Sequence, residues 1–131
     1  MLQEKDTSRL EYTAEDLISH KLQQSRILVA KPKFDREGTD LLAFLEMGDG
    51  VKFCRIQCKG RSLANSESSQ VNLPKSYITE GFVLFLYVEE SANVSGLYCF
   101  FQTDFQNLQY WHENIKGEYS LNISRSNGFV A

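Results

Sequence analysis

The chain has little of what marks several common classes of protein. It contains 2 prolines, 3 cysteines, 2 histidines and a single tryptophan. No apolar run approaches the roughly 20 residues that a membrane helix needs. The first twelve residues, MLQEKDTSRLEY, have no apolar centre of the kind a secretion signal carries, so a cytoplasmic protein without a membrane partner is expected. An odd set of cysteines, Cys54, Cys58 and Cys99, argues against a disulfide framework. It also lacks the CxxC spacing and the histidines that zinc favours, so buried free thiols are the expected state. Neither a Walker A loop nor GxGxxG is present, which removes the common phosphate-cradling motifs.

What is present is an ordinary globular composition, 42% hydrophobic and 24% charged over 131 residues. That length suits one domain with one core. The net charge of −3 does not describe a general nucleic-acid binder, yet its distribution is uneven. Between Lys21 and Arg61 nine basic residues face five acidic ones, a local charge of +4 that leaves −7 for the remainder. A basic middle in an acidic frame is compatible with a phosphate-facing side, and equally with a mixed solvated surface.

Residues Thr7 to Gln24 are expected to form a helix. Ser8 and Glu11 have capping-box spacing, and Leu10, Ala14, Leu17, Ile18 and Leu22 make one apolar stripe. Glu11 and Glu15 border that stripe, one turn apart. Ile27 to Ala30 reads as a short strand, and Asp40 to Met47 as a second with alternating faces. Asp49-Gly50 suits a two-residue type I′ turn into a third strand. With that turn, Leu42 stands opposite Gln57 and Asp40 opposite Lys59, so Asp40, Gln57 and Lys59 converge on one face. A three-residue loop would instead set Asp40 beside Cys58 and scatter the group.

Further along, Ser62 to Gln70 reads as a serine-rich loop and Pro74 to Tyr77 as a helical turn. Phe82 to Val88 is apolar on both faces, as in a central strand. Another strand is expected over Leu97 to Gln102, then a helix within Asp104 to Ile115, and an edge strand over Tyr119 to Ile123. Aromatics at strand spacing in this half read as core rather than as a base-stacking platform.

An acid at the head of one strand and a Gln-x-Lys pair on its hairpin partner suit metal-assisted attack on a phosphodiester. Asp40, the Gln57 amide oxygen and the Cys58 backbone carbonyl are oxygen donors of the kind Mg²⁺ prefers. Lys59 is a compact charge able to hold a water and offset charge on phosphorus oxygens.

The stretches GTDLL at Gly38 to Leu42 and RIQCKGR at Arg55 to Arg61, preceded by a helix with Ala14-Glu15-x-Leu17-Ile18, resemble the PD-(D/E)xK nuclease superfamily. The resemblance spans about Ser8 to Gln102. It implies a restriction-endonuclease-like α/β (α+β) fold, with an N-terminal helix on a central mixed sheet containing a hairpin, then a further helix and strand. It makes Asp40 the motif aspartate, Lys59 the motif lysine and Glu15 the acid contributed by the first helix. Asp35 ranks lower. Gln57 departs from the pattern, which has Asp or Glu there.

The implied activity is Mg²⁺- or Mn²⁺-dependent hydrolysis of DNA, of the endonuclease or Holliday-junction-resolvase kind. Lys33, Arg36, Arg55 and Arg61 are the candidate DNA contacts. The alternative is a silent nuclease-fold module that binds nucleic acid or a protein. An exposed apolar face in the C-terminal half would be the sign of a homodimer.

Overall fold

The computed structural model describes residues 8–33, 38–64, 66–124 and 128–130, without the side chains of Ser8, Met47 and 128–130. The helix α1 spans Ser8–Gln24. Strands β1 (Leu28–Ala30), β2 (Leu41–Met47) and β3 (Gly50–Ser62) follow. Then come β4 (Ser68–Pro74), a 3-10 turn at Lys75–Tyr77, β5 (Phe82–Ser91) and β6 (Val94–Phe101). A short helix α2 (Gln102–Gln106) leads to β7 (His112–Glu113), β8 (Glu118–Ser124) and β9 (Gly128–Val130).

The strands form two sheets. One has the order β1-β2-β3-β5-β6 and is mixed, since β3 and β5 run parallel and the other neighbours antiparallel. The other has β8 between β4 and β7, with β9 also pairing to β8. The architecture is therefore α+β, with an N-terminal helix on a mixed five-stranded sheet, as the sequence suggests.

Alternation along β5 assigns the layers. Val83 joins Ala14 and Ile18 of α1, Leu41 and Ala43 of β2 and Ile56 and Cys58 of β3 in one cluster. Phe82, Leu84, Leu86 and Val88 point the other way, into a larger cluster with Val71 and Leu73 of β4 and Tyr119, Leu121 and Ile123 of β8. Thus α1 covers one face of the five-stranded sheet and the second sheet covers the other. A strand apolar on both faces is what this sandwiching requires.

The stripe on α1 lies against the sheet as its period predicts, with Leu10, Ala14 and Ile18 all buried. The close approach is made possible by Gly60, where a Cβ would stand 2.4 Å from Leu10 Cβ and 2.5 Å from the Leu10 carbonyl carbon. Around the last turn of α1 the same face opens into an apolar hollow of about 380 Å³, lined by Leu22, Ala43, Leu45, Phe85 and Phe101 among others.

Four expectations change. The turn between β2 and β3 centres on Gly48 and Asp49, not Asp49 and Gly50, so Met47 pairs with Gly50. A type I′ turn would force Asp49 to positive φ; instead Gly50 takes it, at +137°. The register consequently slips by two residues, and Leu42 faces Arg55 rather than Gln57.

The serine-rich stretch is ordered as β4 from Ser68 onward. The helix expected within Asp104 to Ile115 is only Gln102–Gln106, because Leu108 enters the left-handed region at φ +57° and turns the chain. That turn carries Trp111 into the core, fully buried and 4.5 Å from Phe105 between ring centres. Finally, β8 is an interior strand rather than an edge.

Candidate functional site

Because side chains alternate with a period of two, the slip of two residues keeps every side chain of β2 on its expected face. The Asp40 amide donates to the Ile56 carbonyl at 2.8 Å, one step beyond the pair Leu41 and Ile56. That carbonyl belongs to Leu41's own partner, so the ladder is irregular here: Asp40 lies just outside β2 and does not stand opposite Lys59. Gln57 and Lys59 alternate with Ile56 and Cys58 and so share the face of β3 turned away from α1, with Lys59 one step further along.

The Asp40 carboxylate then reaches along the strand. Its Oδ2 accepts the Cys58 N–H at 2.7 Å. In an extended strand the N–H and C=O of one residue point to the same lateral side. The Cys58 carbonyl thus faces the side that Asp40 occupies, past the point where β2 and β3 cease to pair. An aspartate and a backbone carbonyl converge there, next to the Gln57-Cys58-Lys59 segment.

Gln57 is buried and its Oε1 has no hydrogen-bond partner. The amide lies against the turn before β2, since a Cβ on Gly38 would be 2.8 Å from Gln57 Oε1 and 2.6 Å from Tyr77 Cδ2. Gly38 also has φ +74°. Both the backbone conformation and the neighbouring amide thus demand glycine in GTDLL.

Glu15 arrives from the other face. It is partly buried on α1 and accepts a charge-assisted hydrogen bond from Lys31 Nζ, just after β1. The Cys58 thiol senses this corner directly. Burial first, then the Asp40 and Glu15 carboxylates, push its pKa far up, while the Lys31 ammonium pulls it back. Asp40, Glu15 and Lys31 therefore all lie near enough to Cys58 to act on its charge. Lys31 was not among the candidates read from the sequence. Its position two residues before Lys33, beside a proline, carries no motif, and only the pairing of β1 with β2 brings it here.

The candidate DNA contacts divide. Arg55 Nη2 donates to the Tyr77 carbonyl at 3.2 Å and also to Thr79 Oγ1, and the guanidinium lies 5.7 Å from the Phe82 ring centre. Arg61 Nε donates to the Gln70 carbonyl at 3.1 Å and Nη1 to the Gly60 carbonyl at 2.7 Å, with Glu11 Oε1 3.6 Å away. Burial lowers the Arg61 pKa and Glu11 partly restores it. Both arginines thus spend donors inside the fold, tying β3 to the 3-10 turn and to β4. Lys33 is exposed. Arg36 and the lower-ranked Asp35 lie outside the described residues.

Among the described residues no three His, Cys, Asp or Glu side chains cluster as a metal-binding group. The oxygen donors near Cys58 are the Asp40 and Glu15 carboxylates and the Cys58 carbonyl itself, with the Gln57 amide on the neighbouring residue. That set suits a hard cation such as Mg²⁺ better than zinc. Cys58, beside them, points into the core. No helix among the described residues is long and apolar enough to cross a membrane. No protein-family model matches this chain, and no curated protein does either.

Proposed function

We propose that the protein is a cytoplasmic, PD-(D/E)xK-type nuclease that hydrolyses DNA phosphodiester bonds with Mg²⁺ or Mn²⁺, at the side of β3 where β2 ends. The observation that carries this reading is the placement of Asp40 on the Gln57-Cys58-Lys59 segment, 2.7 Å from the Cys58 amide. The order helix, strand, hairpin that leads to this point supports a restriction-endonuclease-like core. The sheet built on β4, β7 and β8 is additional to it.

Asp40, Glu15, the Cys58 carbonyl and the Gln57 amide oxygen would hold the cation. The buried, unpartnered Gln57 Oε1 fits that role as an acceptor for which the protein supplies no donor. When bound, the cation supplies Lewis-acid chemistry, neutralising phosphoryl oxygens and making water a stronger acid. Lys59 orients the attacking water and offsets the charge that develops on phosphorus oxygens. Asp40, anchored at Cys58, fixes the direction from which water approaches.

The test is cleavage of supercoiled and branched DNA with Mg²⁺ or Mn²⁺, comparing the natural protein with Asp40→Ala and Lys59→Ala. Metal-dependent cleavage lost in both variants is expected. Cleavage that persists in both removes these residues from the mechanism.

A second reading, a nuclease-fold module that binds DNA without cutting it, is favoured by the neutral Gln57 and by the hold of Lys31 on Glu15. On that reading DNA binding weakens steeply with salt, and Mn²⁺ leaves the DNA intact.

A further inference from the structure

We propose that Lys31 is a built-in competitor for the divalent cation at Glu15, so that the cation loads only as the Lys31 ammonium leaves the carboxylate. This inference rests on the site reading given above and assigns a role to a residue outside the motif. Ala30 pairs with Leu42, so the end of β1 delivers Lys31 alongside the start of β2, where Asp40 begins. The helix α1 lowers Glu15 onto the same corner, and Lys31 Nζ engages Glu15 Oε1. Two carboxylates and one ammonium therefore share a corner that Cys58 also senses.

A carboxylate oxygen engaged by an ammonium is a poorer ligand for a second cation, because the two positive charges repel at contact distance. The neutral Gln57 sharpens the effect. With a third acid at that position the candidate donors would carry three negative charges; with glutamine they carry two. The Lys31 side chain is 58% exposed, whereas that of Glu15 is only 15% exposed. The ammonium can swing into water on its flexible stem, while the acid stays. The exchange is thus local and needs no movement of the sheet.

Mn²⁺ binding by calorimetry, without DNA, tests the inference on the full chain. Lys31→Met should tighten Mn²⁺ binding about three- to tenfold, a range appropriate to a partly screened charge. Lys31→Arg, which keeps the charge, should bind Mn²⁺ like the natural protein, and it guards against a purely structural effect of losing the lysine. Glu15→Gln should weaken binding and abolish the difference between lysine and methionine at position 31. Unchanged or weaker binding in Lys31→Met, with binding still lost in Asp40→Asn, overturns the competitor role and leaves the site intact. Binding that survives both Asp40→Asn and Glu15→Gln overturns the site itself, and the inference with it.

Discussion

The Asp40 carboxylate accepts a hydrogen bond from the backbone N–H of Cys58 at 2.7 Å, fastening the start of β2 to the middle of β3. One oxygen therefore has a structural partner, while the charge is what the proposed cation site draws on. The two roles separate experimentally. Asp40→Asn keeps an acceptor for the Cys58 amide but loses the charge, and should cost about 1 kcal/mol of stability in urea unfolding. Asp40→Ala leaves the amide without its acceptor and should cost about 1–3 kcal/mol. Both should abolish Mn²⁺-dependent cleavage. A variant that unfolds no more easily than the natural protein would show that the bond is not formed in solution.

Gln57 provides a second test. Replacing it with glutamate restores the motif acid but buries a carboxylate where the amide oxygen has no donor. Without metal at neutral pH, Gln57→Glu should lose about 1–3 kcal/mol. Burial raises the folded-state pKa of the new carboxyl. The unfolded chain then releases its proton first as pH rises, so the loss appears above about pH 4.3 and disappears below it. Millimolar Mn²⁺ should restore much of the melting temperature in Gln57→Glu and little in the natural protein. Equal restoration in both would place the cation elsewhere.

Alkaline stability follows from Cys58. Its pKa is pushed far above the ordinary thiol range, chiefly by burial and secondarily by Asp40 and Glu15. Below about pH 8.5 the thiol is protonated in both folded and unfolded chains and contributes no pH dependence. Above that, the unfolded chain loses the proton and the folded chain keeps it, so stability falls as pH rises. Cys58→Ala should flatten this slope between pH 8.5 and 10.5 in a series of urea titrations, values chosen to lie at and above the ordinary thiol pKa of about 8.5. The intact thiol should also resist alkylation at pH 8 until the protein unfolds. Rapid labelling of Cys58 in the native protein would contradict its burial.

Much of the architecture was legible from the sequence because it depends on local periodicity. The stripe Leu10, Ala14 and Ile18 gives a helix, alternation gives β2, and the doubly apolar FVLFLYV gives a strand covered on both sides. The turn was misread by one residue because Asp49-Gly50 satisfies the rule for a type I′ turn. Only the assembled hairpin shows that leaving the positive φ to Gly50 alone avoids strain at Asp49. The faces of Leu41 to Met47 survived that error, since a slip of two residues preserves them, whereas the expected pairing of Asp40 with Lys59 did not.

By itself, the sequence determined which residues carry oxygen donors and positive charge, and on which face of each element they stand. Tertiary structure decided what joins them. Lys31 meets Glu15 only because β1 pairs with β2 while α1 crosses above, and Arg55 and Arg61 turn inward because the 3-10 turn and β4 pack beside β3. Such contacts join residues 9 to 24 positions apart, from separate elements. Local periodicity fixes the face that a side chain leaves from, whereas the partner it meets depends on how the layers dock.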